Sequence, residues 1–136
     1  MSDIPVTLRE QVIQRARGRC EYCLIDQDDV YLTHELDQVI AEKHGGASAL
    51  SNLALACFFC NRYKGSDIAS LDPDTQQLTP LLNPRTHVWS QHFRLEGSRI
   101  VPLGAVGRAT AGLLQLNHPD RLIERRALIA LGRYPR

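Results

Sequence analysis

The sequence predicts an α+β fold, because a β-prone segment lies between two cysteine pairs and helical segments lie near both ends of the chain. Hydrophobic residues make up 43% and charged residues 23%, a balance typical of globular proteins that argues against disorder. A length of 136 residues is enough for one domain and short for two. We therefore expect a single domain over residues 1–136, with a core at residues 5–66 and a C-terminal elaboration at residues 67–136.

The N-terminal half contains the predicted core. Thr7 followed by Glu10 matches a helix-capping box, and the spacing of the next apolar residues predicts a helix that ends near Gly18. Residues 30–41 are β-prone and predict one or two strands. A short helix is expected after the second cysteine pair, ending near residue 65.

The C-terminal half predicts turns, a hairpin and two helices. Residues 72–75 are typical of a turn between two short extended pieces, and residues 93–101 of a hairpin that turns at residues 96–98. Helices are expected near residues 105–116 and 119–131, with Pro119 in the first turn and Gly132 as the stop.

Two C-x-x-C pairs contain all four cysteines, Cys20, Cys23, Cys57 and Cys60. Each pair places two sulfurs on one side of a tight turn, and together they complete the tetrahedral shell that zinc prefers. A redox dithiol would need one pair rather than two, and disulfides are rare in the cytoplasm. A closed four-thiolate zinc has no open position for water, so we expect it to stabilise the fold and to take no part in chemistry.

Charge is patterned along the chain although the net charge is only +1. Most basic residues are arginine, a bias that either phosphate binding or an arginine-rich genome explains. Arginines cluster before the first cysteine pair and again on the last predicted helix (Arg121, Arg125, Arg126), while acidic residues gather between residues 26 and 37. This pattern favours an acidic metal site beside a phosphate-binding surface.

The chain shows no sign of membrane insertion or secretion. It has no run of 18 apolar residues, and its first ten residues lack a basic segment followed by an apolar one. We therefore expect a cytoplasmic protein without a membrane partner.

Residues between and after the cysteine pairs resemble the HNH endonuclease family. The order is D-Q…N-L…C-x-x-C-N-x-x-K-G, with Asp37, Asn52 and Asn61 at the polar positions and an H-G-G segment in the intervening loop. The matching residues run from Cys20 to Gly65, about a third of the chain. The resemblance implies a ββα-metal (His-Me finger) core in which a hairpin and a helix hold one divalent cation against a scissile phosphate of double-stranded DNA.

The same resemblance implies roles for the polar residues. Asp37 and Asn61 would ligate the catalytic Mg²⁺ or Mn²⁺, and Asn52 would fix the loop that orients the catalytic base. Nucleic-acid contacts would come from the remaining matched polar residues, His44, Arg62 and Lys64. Taken singly, each residue has a structural alternative: a turn former, a cap or a solvated side chain.

One departure from the family pattern concerns the general base. The family's histidine directly follows the aspartate, and here that position is Gln38. A glutamine amide cannot accept the proton, and general-base help is typically worth about 10²–10⁴-fold in rate. Gln38 is compatible with a degenerate protein that keeps DNA binding, with cleavage through a substitute base or metal hydroxide, and with a laboratory substitution that silences a toxic nuclease.

Three alternative functions follow from these observations. The first is a metal-dependent DNA endonuclease weakened at Gln38, with a catalytic set of Asp37, Gln38, Asn52 and Asn61. The second is a zinc-stabilised nucleic-acid-binding module without catalysis, and a protein-interaction zinc domain is a third alternative. The histidines of the C-terminal half, His87 and His92, have no predicted role.

Overall fold

The computed structural model describes residues 4–136 and shows the α+β fold that the sequence predicts. The first three residues of the predicted domain lie outside the described part. Within it, four α-helices and three two-stranded antiparallel sheets follow one another along the chain. The elements are α1 (Val6–Ala16), β1 (Glu35–Gln38), β2 (Leu53–Ala56), α2 (Phe58–Lys64), β3 (Ala69–Leu71), β4 (Leu78–Pro80), β5 (Phe93–Glu96), β6 (Arg99–Pro102), α3 (Ala105–Leu113) and α4 (Pro119–Ala130).

The ββα arrangement lies between the two cysteine pairs and just beyond them. β1 pairs antiparallel with β2, so that Asp37 stands opposite Ala54 and Gln38 opposite Leu53. The chain then turns at Cys57, which caps the N-terminus of α2. This order places the end of β1 beside α2, and it confirms the ββα core that the resemblance implies.

Helix α1 packs on the outer side of this hairpin through apolar contacts. Val12 and Ala16 are buried against Leu36, Leu53 and Leu55. The predicted capping box is wrong: the helix begins at residue 6, where residue 5 is a proline whose side chain makes no capping hydrogen bond. Proline favours the extended backbone before a helix and the first helical turn, so it sets the start in place of a hydroxyl cap.

The strand prediction for residues 30–41 was too long. Within this range only residues 35–38 pair with a neighbouring strand. His34 therefore precedes the strand; its ring is buried and its Nε2 contacts the carbonyl of Ile25 at 2.9 Å. His34 thus contacts the backbone just after the first cysteine pair and takes no part in strand pairing.

The C-terminal half follows the prediction closely. β3 and β4 flank the turn at residues 72–75, β5 and β6 form the hairpin, and α3 and α4 follow, α3 ending three residues earlier than expected. His118 caps α4 by accepting a hydrogen bond from the backbone N–H of Asp120 at 3.1 Å.

The C-terminal elements share the main apolar core with the cysteine knuckles. Phe93, Ile100, Leu114 and Tyr134 belong to the same buried cluster as the four cysteines. Tyr134 also donates its hydroxyl to the carbonyl of Cys23 at 2.7 Å. No helix within residues 4–136 is both long and apolar enough to cross a membrane.

Candidate metal centre and catalytic cleft

The four cysteine side chains converge in the interior. Their Sγ atoms all lie within 4.8 Å of one another, and the Cys23 and Cys57 sulfurs are 3.7 Å apart. A tetrahedral zinc with bonds of about 2.3 Å requires sulfur separations of about 3.8 Å. All four residues are buried thiols, so this cluster can hold a structural zinc ion.

Local backbone geometry shapes each knuckle. The amide of Cys23 donates to the sulfur of Cys20, and the amide of Cys60 donates to the sulfur of Cys57, both at 3.4 Å. Leu24 takes a left-handed conformation, with φ of 70°, which turns the chain back after the first pair. The tight turns that the C-x-x-C spacing predicts are therefore present at both pairs.

Helix α4 provides a positively charged side chain that contacts this cluster. The Arg121 guanidinium donates to the sulfurs of Cys60 at 3.1 Å and Cys57 at 3.6 Å, and to the carbonyl of Leu114 at 2.8 Å. Burial by itself lowers the pKa of Arg121, but the charges of the cysteine sulfurs outweigh it and the pKa is raised. Arg121 therefore places a permanent positive charge beside the cysteine sulfurs.

The late arginine cluster consequently differs from the expected phosphate-binding surface. Arg121 is 6% exposed, and Arg125 is also buried, with its guanidinium bonded to the carbonyls of Ser98 and Leu116. Of the three, Arg126 alone is exposed. Sequence patterning detected the cluster but could not tell an exposed arginine from one that faces the cysteines.

A cleft of about 680 Å³ opens where β1 meets α2. Its polar lining comes from α1, from β1 and the loop that follows it, and from α2 and the residues just after α2. These residues are Arg9, Glu35, Asp37, Gln38, Glu42, Lys43, Asn61 and Ser66. The sequence-predicted Asp37, Gln38 and Asn61 thus line one cavity.

Asp37 lies at the inner wall of this cleft and is held by two neighbours. Its Oδ2 accepts the hydroxyl hydrogen of Tyr22 at 2.6 Å, and its Oδ1 lies 3.2 Å from Nζ of Lys64. Asp37 is only 3% exposed, and this burial raises the pKa of its carboxyl, while the Lys64 charge and the two hydrogen bonds oppose the rise. The environment therefore fixes the position of the carboxylate.

Lys64 lies in the interior, away from the solvent-facing position expected for a phosphate contact. It is 1% exposed, and its ammonium also donates to the carbonyls of Val39 at 3.0 Å and Gln38 at 3.5 Å. An ammonium buried this deeply needs a carboxylate partner, because an unpaired charge in the interior is costly. In this conformation Lys64 is the counterion of Asp37.

Asn61 projects from α2 towards the strand, where its Nδ2 donates to Oε2 of Glu35. Glu35 and Asp37 are two residues apart on β1 and so share one face of the strand. The E-x-D spacing was visible in the sequence, and the period of a strand was the signal that could have added Glu35 to the predicted site.

Gln38 and Asn52 together organise the loop of residues 39–52. Gln38 donates to Oγ of Ser48 at 2.7 Å and accepts from the amide of Glu42 at 3.2 Å. Asn52 exchanges hydrogen bonds with both backbone groups of Ile40, at 2.8 and 2.9 Å, and donates to the carbonyl of Ala47 at 2.9 Å. The Gln38 amide is therefore engaged in fixing the loop.

No histidine within residues 4–136 lines the cleft. His44 is exposed at the end of a 3-10 turn. His87 and His92 lie side by side, with ring centroids 4.9 Å apart, and burial together with the His92 charge lowers the pKa of His87. A substitute imidazole base is accordingly absent from the described cleft.

Arg62 is exposed on the outer face of α2, and its guanidinium lies over the ring of Phe58 at 4.9 Å from the centroid. Stacking on an aromatic ring leaves the edge of a guanidinium free to donate. Of the three residues predicted to contact nucleic acid, Arg62 and His44 are solvent-exposed and Lys64 is not.

Comparison with known protein families gives a match within the N-terminal half of the chain. Residues 20–67 match the sequence profile of a family described as HNH endonuclease. The match covers both cysteine pairs, β1, β2 and α2, together with the cleft residues Glu35, Asp37, Gln38 and Asn61. No curated protein and no solved structure matches the chain.

Proposed function

We propose that this chain, whose residues 20–67 match the HNH endonuclease family, is a metal-dependent endonuclease of double-stranded DNA whose phosphodiester hydrolysis is weakened at Gln38. The observation that supports the proposal is the shared cleft, onto which Asp37 of β1 and Asn61 of α2 both open. Strand and helix are fixed relative to each other by the paired cysteines that precede and follow the hairpin.

The oxygen atoms of the cleft suit a hard cation such as Mg²⁺ or Mn²⁺. Asp37 accepts one hydrogen bond at each oxygen, and a carboxylate has about four lone-pair sites, so acceptor capacity remains. The Nδ2 atom of Asn61 donates one hydrogen bond to Glu35, which leaves Oδ1 for a ligand. When bound, the cation would neutralise charge on the phosphate and on the departing oxygen.

A separate structural zinc on Cys20, Cys23, Cys57 and Cys60 completes the proposal. Its four thiolates carry two negative charges in excess of the metal, and Arg121 offsets one of them. Because Arg121 and Tyr134 connect the knuckles to the C-terminal half, we propose that residues 5–66 and 67–136 unfold as one domain.

Proton transfer is the step that this chain supports least. Gln38 occupies the position after the metal-binding aspartate, and its amide can orient water but cannot take a proton. Loss of a general base typically costs about 10²–10⁴-fold in rate. We therefore propose a slow nuclease, with Arg62 and His44 as the phosphate contacts and Lys64 as the group that keeps Asp37 ionised and in place.

The test is nicking of supercoiled plasmid by the zinc-loaded protein with Mg²⁺ or Mn²⁺, beside the variant Gln38→His. We expect Gln38→His to raise nicking at least tenfold, a conservative part of the usual worth of a general base. The double variant Gln38→His with Asn61→Ala is the matched control, because it should return nicking to background if the activity belongs to this cleft. Equal nicking by the single and double variants would indicate a contaminant and would remove the support for the proposal.

A binding module without catalysis is the second candidate. It is favoured by the engaged Gln38 amide and by the lack of a histidine in the described cleft. If the wild-type protein and Gln38→His both bind duplex DNA at low salt and both fail to nick, this candidate is correct. Absence of DNA affinity at low salt, where phosphate contacts are strongest, would exclude both candidates.

A further inference from the structure

The contact between Glu35 and Asn61 determines which way the Asn61 amide faces. The oxygen and nitrogen of an amide group are nearly the same size, so shape alone does not select one of its two orientations. An ionised carboxylate can only accept hydrogen bonds, and Oε2 of Glu35 therefore selects the amide nitrogen. The amide oxygen is consequently directed away from Glu35.

Both partners stand on rigid backbone. Glu35 pairs in the sheet with Ala56, and Ala56 directly precedes Cys57, the residue that caps α2. Asn61 lies within α2. Its backbone N–H donates to the carbonyl of Cys57 at 2.9 Å, and its backbone carbonyl accepts from the N–H of Gly65 at 2.9 Å. Only side-chain rotations are left to vary, and the hydrogen bond between the two side chains restricts them.

We propose that Glu35 is a positioning residue, which holds the Asn61 amide so that Oδ1 faces the cation side of the cleft. This inference rests on the proposed function, because it concerns the same cation. Glu35 acts through Asn61 and is not itself a ligand. In the opposite orientation the amide would present two N–H donors to a cation, which is repulsive.

A carboxylate in place of the Asn61 amide needs no such orientation, because its two oxygens are equivalent. The variant Asn61→Asp therefore removes the task that we assign to Glu35, and it places two carboxylates side by side. Glu35 should then assist cation binding when residue 61 is asparagine and should give little or no help after Asn61→Asp. This dependence on residue 61 separates positioning from direct ligation and from simple charge attraction.

The experiment measures Mn²⁺ affinity of the zinc-loaded protein by electron paramagnetic resonance. Four proteins form the cycle (wild type, Glu35→Ala, Asn61→Asp and the double variant), and Glu35→Gln is measured beside them. We expect Glu35→Ala to weaken Mn²⁺ binding about threefold to tenfold in the wild-type background, the worth of one partly exposed hydrogen bond. In the Asn61→Asp background the same change should have no weakening effect. Glu35→Gln keeps an acceptor without the charge and should recover part of the loss.

Two outcomes would overturn the inference. If Glu35→Ala weakened Mn²⁺ binding equally in both backgrounds, Glu35 would act as a ligand or through its charge alone. If Glu35→Ala left the Mn²⁺ affinity unchanged in the wild-type background, Glu35 would have no role in cation binding. Unaltered zinc content and melting temperature in all four proteins exclude a folding defect as the cause.

A second measurement does not require the catalytic cation. In the Mn²⁺-free protein, the two side-chain amide hydrogens of Asn61 give separate NMR signals. The chemical shifts of these signals should change in Glu35→Ala, because the hydrogen bond to Glu35 is lost. Identical signals in the two proteins would refute the positioning role. If the wild-type protein binds no Mn²⁺ but these signals do shift, the proposed nuclease function fails while the amide orientation stands.

Discussion

Replacing Arg121 with methionine removes the guanidinium that faces the cysteine cluster and keeps a side chain of similar length. The change removes the donation to the sulfurs of Cys60 and Cys57. It also removes the hydrogen bonds to the carbonyls of Leu114 at 2.8 Å and Gln115 at 3.4 Å. A hydrogen bond to a charged group contributes about 1.5–3 kcal/mol, and a buried carbonyl left without a donor costs about 1–3 kcal/mol. Apolar packing of the methionine returns part of this, so we expect a net loss of about 3 kcal/mol.

A loss of that size corresponds to roughly a hundredfold weaker zinc retention. The assay is competition for zinc with a coloured chelator, followed by thermal unfolding of the zinc-loaded proteins. Arg126→Met is the matched control, because Arg126 lies on the same helix α4 and is exposed. Zinc affinity of Arg121→Met within threefold of the Arg126→Met value would refute the idea that the buried guanidinium stabilises the thiolates.

Two further predictions concern the loop and the C-terminal half. In Gly46→Ala the new methyl would lie 1.6 Å from the carbonyl oxygen of Ile40, so the loop must move. Denaturant titration should therefore show that the free energy of unfolding falls by about 2 kcal/mol or more. The control is Gly112→Ala in α3, where the new methyl meets no atom within 4 Å and the change should be neutral or slightly stabilising. The Arg108 guanidinium makes two hydrogen bonds to the Asp72 carboxylate and holds its pKa below the usual value of about 3.9. The NMR signal of the Asp72 carboxyl carbon should therefore show an ionised group at pH 4, and it should shift in Arg108→Met. Because the folded-state pKa is lowered, this pair stabilises the fold above about pH 4 and loses that effect as the pH falls further.

The features that the sequence predicted well are those with a local signature. The C-x-x-C spacing forces each pair of sulfurs onto one side of a turn, and the four sulfurs lie within 4.8 Å of one another, as a single tetrahedral metal site requires. The hairpin at residues 93–102 and the helices α3 and α4 also carry local signals, in turn residues and in the helix-start proline. Such elements need little tertiary information.

The features that the sequence missed depend on packing between distant segments. Nothing in the spacing of Lys64 indicates that its ammonium turns inward to Asp37, 27 residues earlier. Arg121 contacts the sulfurs of Cys60 and Cys57, which lie 61 and 64 residues earlier in the chain. The sequence around Arg121 does not distinguish it from an arginine that faces solvent. A buried charge is selected by its partner, and the partner is known only once the chain is folded.

Tyr22 connects the cysteine cluster to the cleft, and its hydroxyl gives a last prediction. The residue lies inside the first knuckle, between Cys20 and Cys23, and donates to Asp37 at 2.6 Å. Tyr22→Phe keeps the ring and its packing, but it leaves one oxygen of a buried carboxylate without its donor. Since that hydrogen bond lowers the pKa of Asp37 against the effect of burial, its loss should raise the pKa further.

A carboxylate that has lost one of the two contacts that hold it is also less well placed to ligate a cation. In the Gln38→His background, we therefore expect Tyr22→Phe to lower Mn²⁺ affinity and nicking about fivefold to tenfold, the worth of one buried hydrogen bond to a charged group, while zinc content stays the same. Tyr63→Phe serves as control, because Tyr63 lies on α2 and its described contact is ring stacking with Phe59 rather than a bond to Asp37. If Tyr22→Phe retained full Mn²⁺ affinity, the zinc knuckle would support the hairpin without tuning the carboxylate, and Lys64 alone would account for the position of Asp37.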